Sequence, residues 1–302
     1  EEAQIGGIMS DYVLTCSSTV DLPKAYLEGR GIPYVCFHYR LGQEEHMDDL
    51  WEAMDARAFY SRMVGGEDAK TSQVNVEEYM DFFRPFLEEG KDILHIELSS
   101  GLSGSYNSAR LAAEELRTKF PDRKIGVVDS RGASSGFGFL LSYLADQRDE
   151  GLAYEQLMDL AEEKKLLVHH WFFSTDLTFY VKGGRISKTA GFLGGMLGIC
   201  PLLNMDEAGH LIPREKIRGK QKVMQRIVEK MLEHAEGGPD YQGKVFISQS
   251  DCLEDAEGVA ALVKELFPQM DGEVMINPIG PTIGAHTGPG TVALFFFGDK
   301  RI

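Results

Sequence analysis

The sequence predicts an α/β protein whose first part is a parallel sheet flanked by helices. Three observations carry this. Four short apolar segments (12–15, 34–39, 92–98 and 124–128) are each followed by a polar loop and, in turn, by a helical pattern. The loops after three of them are rich in Ser, Thr and Gly, as the carboxyl edge of a parallel sheet is where ligand-holding loops collect. The chain also has 302 residues, 43% of them hydrophobic, which is more than one core usually serves.

Taken in order, segment 12–15 is a short strand, and Asp21-Leu-Pro23 opens a helix because proline is tolerated in a first turn. Segment 34–39 is rich in β-formers and reads as a second strand, with His38 as a core or edge residue. Residues 47–63 read as one or two helices ending at Gly65-Gly66. Asn75 with Glu78 three positions on is a capping-box pattern, so Thr71 and Ser72 fall in a loop just before a helix whose aromatic stripe (Tyr79, Phe82, Phe83, Phe86) faces the core. Segment 92–98 leads into Ser99-Ser-Gly-Leu-Ser-Gly-Ser-Tyr106, a flexible polar turn offering hydroxyls and backbone N–H groups ahead of a helix, the means of holding an anion. The fourth unit, 124–128, ends in a Ser-rich loop, and a helix over 154–165 closes the first part.

Beyond residue 166 the texture changes. An aromatic strand (169–174) precedes a basic, glycine-bearing loop around Arg185 and a glycine-peppered apolar segment (191–199), whose glycines suggest close approach of either a partner helix or a long apolar ligand. A hairpin turns at 207–209, helices follow over 219–234 and 256–266, short strands at 244–248 and 274–277, and His286 sits in a glycine-rich turn before a last strand at 291–297.

The formal net charge of −16 (31 Lys plus Arg against 47 Asp plus Glu) opposes binding to nucleic acid or anionic lipid surfaces, and no apolar run approaches the roughly 18 residues of a membrane span. Cys16, Cys36, Cys200 and Cys252 show no zinc-type spacing and are expected as free, mostly buried thiols, with no metal site. The start of the chain shows no basic-then-apolar leader pattern, so a cytoplasmic protein is expected; residues 1–8, before Met9, are left out of the fold reading. There is no Walker GxxxxGK[ST], no GxGxxG opening a helix and no HExxH. Monomer is the default.

In order along the chain, Cys16-Ser-Ser-Thr-Val-Asp-Leu22, Thr71-Ser72, Ser99-Ser-Gly-Leu-Ser-Gly-Ser-Tyr106, Gly183-Gly-Arg-Ile-Ser187, Ile217-Arg-Gly219 and His286-Thr-Gly-Pro-Gly290 form a set that resembles the DegV family of bacterial lipid-binding proteins. Each fragment alone is common; the ordered set spans nearly the whole chain. The family commonly carries an acidic residue where Cys16 stands and a proline soon after the Thr-Ser pair; this chain has neither. The resemblance implies a two-domain α/β fold, divided here as 11–165 and 166–302, with a long-chain fatty acid between the domains. It also implies a non-catalytic carrier, needing no cofactor, that presents the acyl carboxylate to a separate fatty acid kinase. By the family pattern Thr71 and Ser103 hold the carboxylate, Ser72 and the Gly104 amide stand beside it, and His286 and Thr287 fall near the same head group. Arg185 and Arg218 are the candidates for phosphate or for the kinase surface, since a guanidinium suits phosphate geometry.

Two other readings stand beside this one. Gly101-Leu-Ser-Gly-Ser105 is nearly a G-x-S-x-G nucleophile elbow, which would make Ser103 the nucleophile of an esterase with His286 as base and Asp251 as third member. A lipid chaperone with no kinase partner is the other.

Overall fold

A computed structural model describes residues 11–186 and 198–302. Its first sheet contains β1 (Tyr12–Ser17), β2 (Tyr34–Val35), β6 (Asp92–Glu97) and β7 (Ile125–Asp129) in the order β2-β1-β6-β7, every pair parallel. Helices α3 (Val76–Glu88) and α4 (Ser105–Lys119) pack together beside it. The α3 start is the predicted capping box: Asn75 Oδ1 accepts from the Glu78 amide at 2.9 Å while the Asn75 amide donates to Glu78 Oε2 at 2.8 Å. The parallel sheet and its flanking helices are thus as the sequence predicts.

Three stretches differ from expectation. Segment 34–39 divides between two sheets, because the Phe37 backbone is claimed from outside: its amide donates to Ser18 Oγ at 3.0 Å and its carbonyl accepts from the Asp48 amide at 2.8 Å. The chain then turns into a small antiparallel sheet of β3 (His38–Leu41), β4 (Glu44–Met47) and β5 (Ala69–Ser72), ordered β4-β3-β5. Of the one or two helices expected in 47–63 the structure has one, α2 (Ala56–Val64), which starts later than expected and is capped by Asp55, which accepts from the Ala58 amide at 2.9 Å. Before it, Asp48 and Asp49 fold their carboxylates back on the amides of Leu50 and Glu52, giving the backbone turn partners instead of helical ones. Thr71 and Ser72 consequently end strand β5, opposite Tyr39 and His38, rather than lying in a loop.

The second large sheet has six strands, β10 (Leu211–Arg218), β9 (Ile199–Met205), β8 (Val168–Ser174), β13 (Thr291–Phe297), β11 (Phe246–Gln249) and β12 (Met275–Pro278), in that order; only β11 and β12 pair in parallel. Helix α5 (Ser134–Asp149) joins the two large sheets. It is buried on nearly every side, packs against β8, β11 and β13, and sets Phe139 edge-to-face on Phe246 and Phe297. On the opposite face of the six-stranded sheet, α8 (Lys220–His234) and α9 (Leu253–Leu266) bury a separate apolar cluster that includes Trp171, Val223, Ile227 and Val259. None of the described helices is long and apolar enough to cross a membrane.

The hairpin tip between β9 and β10 seats directly on the Ser/Gly turn after β6. Ser99 Oγ donates to the Gly209 carbonyl at 2.8 Å, and Arg131 donates to the Glu207 carbonyl at 2.9 Å. A Cβ on Gly101 would come within 2.6 Å of the Gly209 carbonyl oxygen, so only glycine lets the two backbones approach this closely. This contact brings the polar turn of one sheet to the edge of the other.

Candidate functional site

Between the sheets lies a cavity of about 610 Å³, within the size range of small-molecule sites. Its walls are mainly apolar: Leu98 and Leu102 come from the first sheet's edge, Phe172, Met205, Ala293 and Phe295 from the second. Residue alternation on β8 explains part of this, since His170 and Phe172 line the cavity whereas Trp171 and Phe173 belong to the opposite cluster.

At one end the lining turns polar. Thr71, Ser72 and Gln73 arrive from the end of β5, Ser103 and Gly104 from the turn ahead of α4, and His286 and Thr287 from α10 (Pro281–Thr287). Six predicted ligand residues from three distant segments therefore line one cavity. His286 Nε2 is 2.8 Å from Thr71 Oγ1, a direct link between two of those segments. Ser103 Oγ accepts from the Ser105 amide at 3.2 Å, which leaves the Ser103 proton free for another acceptor. Gly104 approaches Gln73 so closely that a Cβ there would lie 2.7 Å from Gln73 Oε1. His286 is part of a short helix, not of a glycine turn: Pro281 supplies a fixed φ in the first turn and Gly288 at φ +66° ends it.

The electrostatics of the cavity favour an anion. Among the described lining residues there is no carboxylate, and Arg185 is the one permanently charged side chain, although the chain as a whole is strongly acidic. Arg185 is exposed, holds the Leu102 carbonyl at 3.4 Å, donates to the Gly183 carbonyl, and has no carboxylate partner among the described residues. Burial, with the charge of Arg185 as a second cause, lowers His286 to a pKa of about 4, so the imidazole is neutral near pH 7. Its Nδ1 is buried with no hydrogen-bond partner among the described residues.

Arg218 is not brought here. It ends β10 opposite Ile199, exposed, and does not line the cavity. The proposed apolar wall at 191–199 falls mostly on 187–197, outside the described residues. Cys16 is a buried free thiol that burial pushes well above its ordinary pKa; the opening 16–22 supports the site from behind, through Asp21 accepting from the cavity-lining Ser134 at 2.6 Å. Sequence reasoning did not find His170, whose Nε2 accepts from the Ala133 amide at 3.2 Å and whose Nδ1 faces the Val168 carbonyl at 3.1 Å. The strand alternation of 168–174 was the available signal.

The parts of a Ser-His-Asp triad are not assembled. His286 Nε2 meets Thr71, no hydrogen bond joins it to Ser103 among the described residues, and Asp251 faces Arg57 at 3.5 Å. What the arrangement can do is hold a molecule with one anionic end and a long apolar body.

Comparison with known proteins shows the family of the chain. A family model described as an uncharacterised protein of the DegV family matches residues 13–299, and the chain belongs to the DegV family. A DegV domain-containing protein of Clostridium perfringens is 36% identical over 97% of this chain and 99% of its own length. Among solved structures, a DegV lipid-binding protein of Thermotoga maritima superposes with a TM-score of 0.81 at 28% identity, covering 96% of this chain and 99% of that one. A stearic-acid-binding protein of Eubacterium ventriosum gives 0.84 at 27%, covering 95% and 98%. The two-sheet α/β architecture is thus the DegV fold.

Proposed function

We propose that this chain binds one long-chain fatty acid in the cavity, its carboxylate at the polar end and its tail along the apolar walls. The observation that carries the reading is the convergence of Thr71, Ser103 and His286 on one cavity that is mainly apolar and has no carboxylate among its described lining residues. Neutral hydroxyl and amide donors satisfy a carboxylate without a buried counter-charge, and bonds to a charged acceptor are the stronger kind. With the His286 proton on Nε2, the imidazole donates to Thr71 Oγ1 and leaves the Thr71 proton to point at the ligand. Ser103 and the Gly104 amide supply further donors, with Ser72 and Thr287 beside them in the same cavity. Each buried methylene contributes about 0.8 kcal/mol, so a tail of about 14 methylenes offers on the order of 11 kcal/mol before the costs of association.

The residues between which the ligand lies support a division into two domains, 11–165 and 166–302, with the fatty acid at their junction. Stearic acid in the relative from E. ventriosum and lipid binding in the relative from T. maritima support the ligand class.

The finer part of the reading is a carrier role. The chain serves as the non-catalytic, cytoplasmic partner of a separate fatty acid kinase, which phosphorylates the presented carboxylate to acyl phosphate. Exposed Arg185 beside the polar end supports it, since a guanidinium there suits both a phosphoryl group and an acidic partner surface. The test is to combine the fatty-acid-loaded protein, ATP and purified fatty acid kinase, and to trap acyl phosphate with hydroxylamine. The reading expects trapped product only with all components present and less of it with Arg185→Ala. No product with any bacterial kinase of this class would leave a lipid chaperone. Labelling of Ser103 by a fluorophosphonate, with ester turnover lost in Ser103→Ala, would replace the carrier reading by a hydrolase.

A further inference from the structure

The face of the six-stranded sheet turned away from the cavity holds a second constellation. His169 precedes the cavity-lining His170 on β8, so strand alternation sends it to the opposite face. There it stacks on Phe296 (centroids 5.2 Å apart, planes 8° apart) and on His234, the last residue of α8 (5.0 Å, 23°). Trp171 also stacks on His234, with centroids 5.7 Å apart. Phe296 and Trp171, with the stacking of the two imidazoles on each other, thus fix the planes of both rings.

Both imidazoles aim a nitrogen at Asp299, just beyond β13. His169 Nε2 lies 2.9 Å from Asp299 Oδ1, and 2.7 Å from the Asp299 carbonyl oxygen. His234 Nδ1 lies 3.0 Å from Oδ1 and 3.3 Å from Oδ2. One ligand atom from each residue falls within 4.8 Å of the others.

We propose that His169, His234 and Asp299 form a site for a divalent transition metal, best fitted by zinc, remote from the lipid cavity. Two imidazoles and one carboxylate are a zinc donor set, and three protein ligands leave a fourth position for water. With metal–ligand bonds of about 2.0–2.2 Å in a tetrahedron, donor atoms stand about 3.3–3.5 Å apart. The nitrogen–oxygen separations of 2.9 and 3.0 Å therefore need to widen by only a few tenths of an ångström. Zinc binding takes the lone pairs of His169 Nε2 and His234 Nδ1, so any proton on those nitrogens moves to the other ring nitrogen or to solvent. The groove outside brings Glu233 and Glu236 against one lysine, Lys164, although Glu233 is already held by Arg226 and Lys230. A bound ion ties β8, the end of α8 and the chain after β13 at one point. The sequence gives no hint of this, because the three ligands are 65 residues apart from one to the next, far from any short zinc spacing.

The test is calorimetric titration of the full chain, stripped with chelator, with zinc chloride in a non-coordinating buffer. Wild type takes up one zinc ion, and its melting temperature rises on adding zinc. His234→Gln and Asp299→Asn each weaken uptake by about tenfold or more and remove the zinc-dependent rise. Both positions are partly exposed, and circular dichroism with the melting temperature in chelator verifies that each variant is folded. Absence of uptake by wild type at a large molar excess of zinc, or uptake unchanged in both folded variants, overturns the site.

Discussion

Ser103→Ala isolates the contact on which the head-group assignment rests. The Ser103 hydroxyl accepts from the Ser105 amide at 3.2 Å and retains its own proton, so alanine removes one donor from the cavity and one acceptor from the start of α4. A hydrogen bond to a charged group contributes about 1.5–3 kcal/mol, which corresponds to a fatty acid Kd weakened roughly 10- to 160-fold. The lost helix-start contact costs about 0.5–2 kcal/mol of stability and is read separately as a lower melting temperature. The assay is displacement of a fluorescent fatty acid from delipidated protein, repeated with saturated acids of three chain lengths. Because Ser103 meets only the carboxylate in this account, the fold-loss is the same for all three, and the gain per added methylene, about 0.8 kcal/mol while the tail remains inside, is unchanged. A loss smaller than about twofold at every length, or a changed methylene increment with an intact head-group effect, refutes the assignment.

Three further outcomes follow from the same geometry. Thr71→Val removes the hydroxyl bonded to His286 and weakens fatty acid binding by about tenfold or more, while Thr71→Ser restores most of it; displacement titration checks both. His286 has a folded pKa of about 4 against an unfolded value near 6.5, so below the latter the unfolded chain holds more protons. Relative to His286→Gln, wild type therefore loses up to about 1.4 kcal/mol per pH unit as pH falls from roughly 6.5 to 4 and nothing above it; paired urea melts measure the difference, and a flat profile contradicts it. Gly101→Ala forces the Ser/Gly turn away from the Gly209 carbonyl, lowering stability by about 1–3 kcal/mol and reducing lipid affinity through the displaced Ser103; thermal melts and titration check the two effects.

Much of this fold was legible in the sequence, for reasons that particular elements make plain. The parallel strands could be read because they are local apolar runs, and α3 because its capping box and aromatic stripe agree. Segment 34–39 was misread as one strand because what divides it, the claims of Ser18 and Asp48 on the Phe37 backbone, comes from elsewhere in the chain. Thr71 and Ser72 look like loop residues because Ala69–Ser72 is polar and short; only pairing with β3 makes it a strand. Of the residues assigned from the family resemblance, Thr71, Ser72, Ser103, Gly104, His286, Thr287 and Arg185 line one cavity, and Arg218 does not. Individually those residues carried only the chemistry of polar donors and a cation in loops and at element ends. The alternation of β8 puts His170 on the cavity face and was the signal for it, whereas the His169-His234-Asp299 group was invisible because its side chains come together over long sequence distances.

The most direct measurement is native mass spectrometry of the protein purified from cells without added lipid, followed by extraction and identification of what it carries. The account predicts one fatty acid per chain, released on denaturation, and lost or strongly reduced in a folded Thr71→Val/Ser103→Ala variant. Protein that emerges empty and takes up no fatty acid on titration would contradict it.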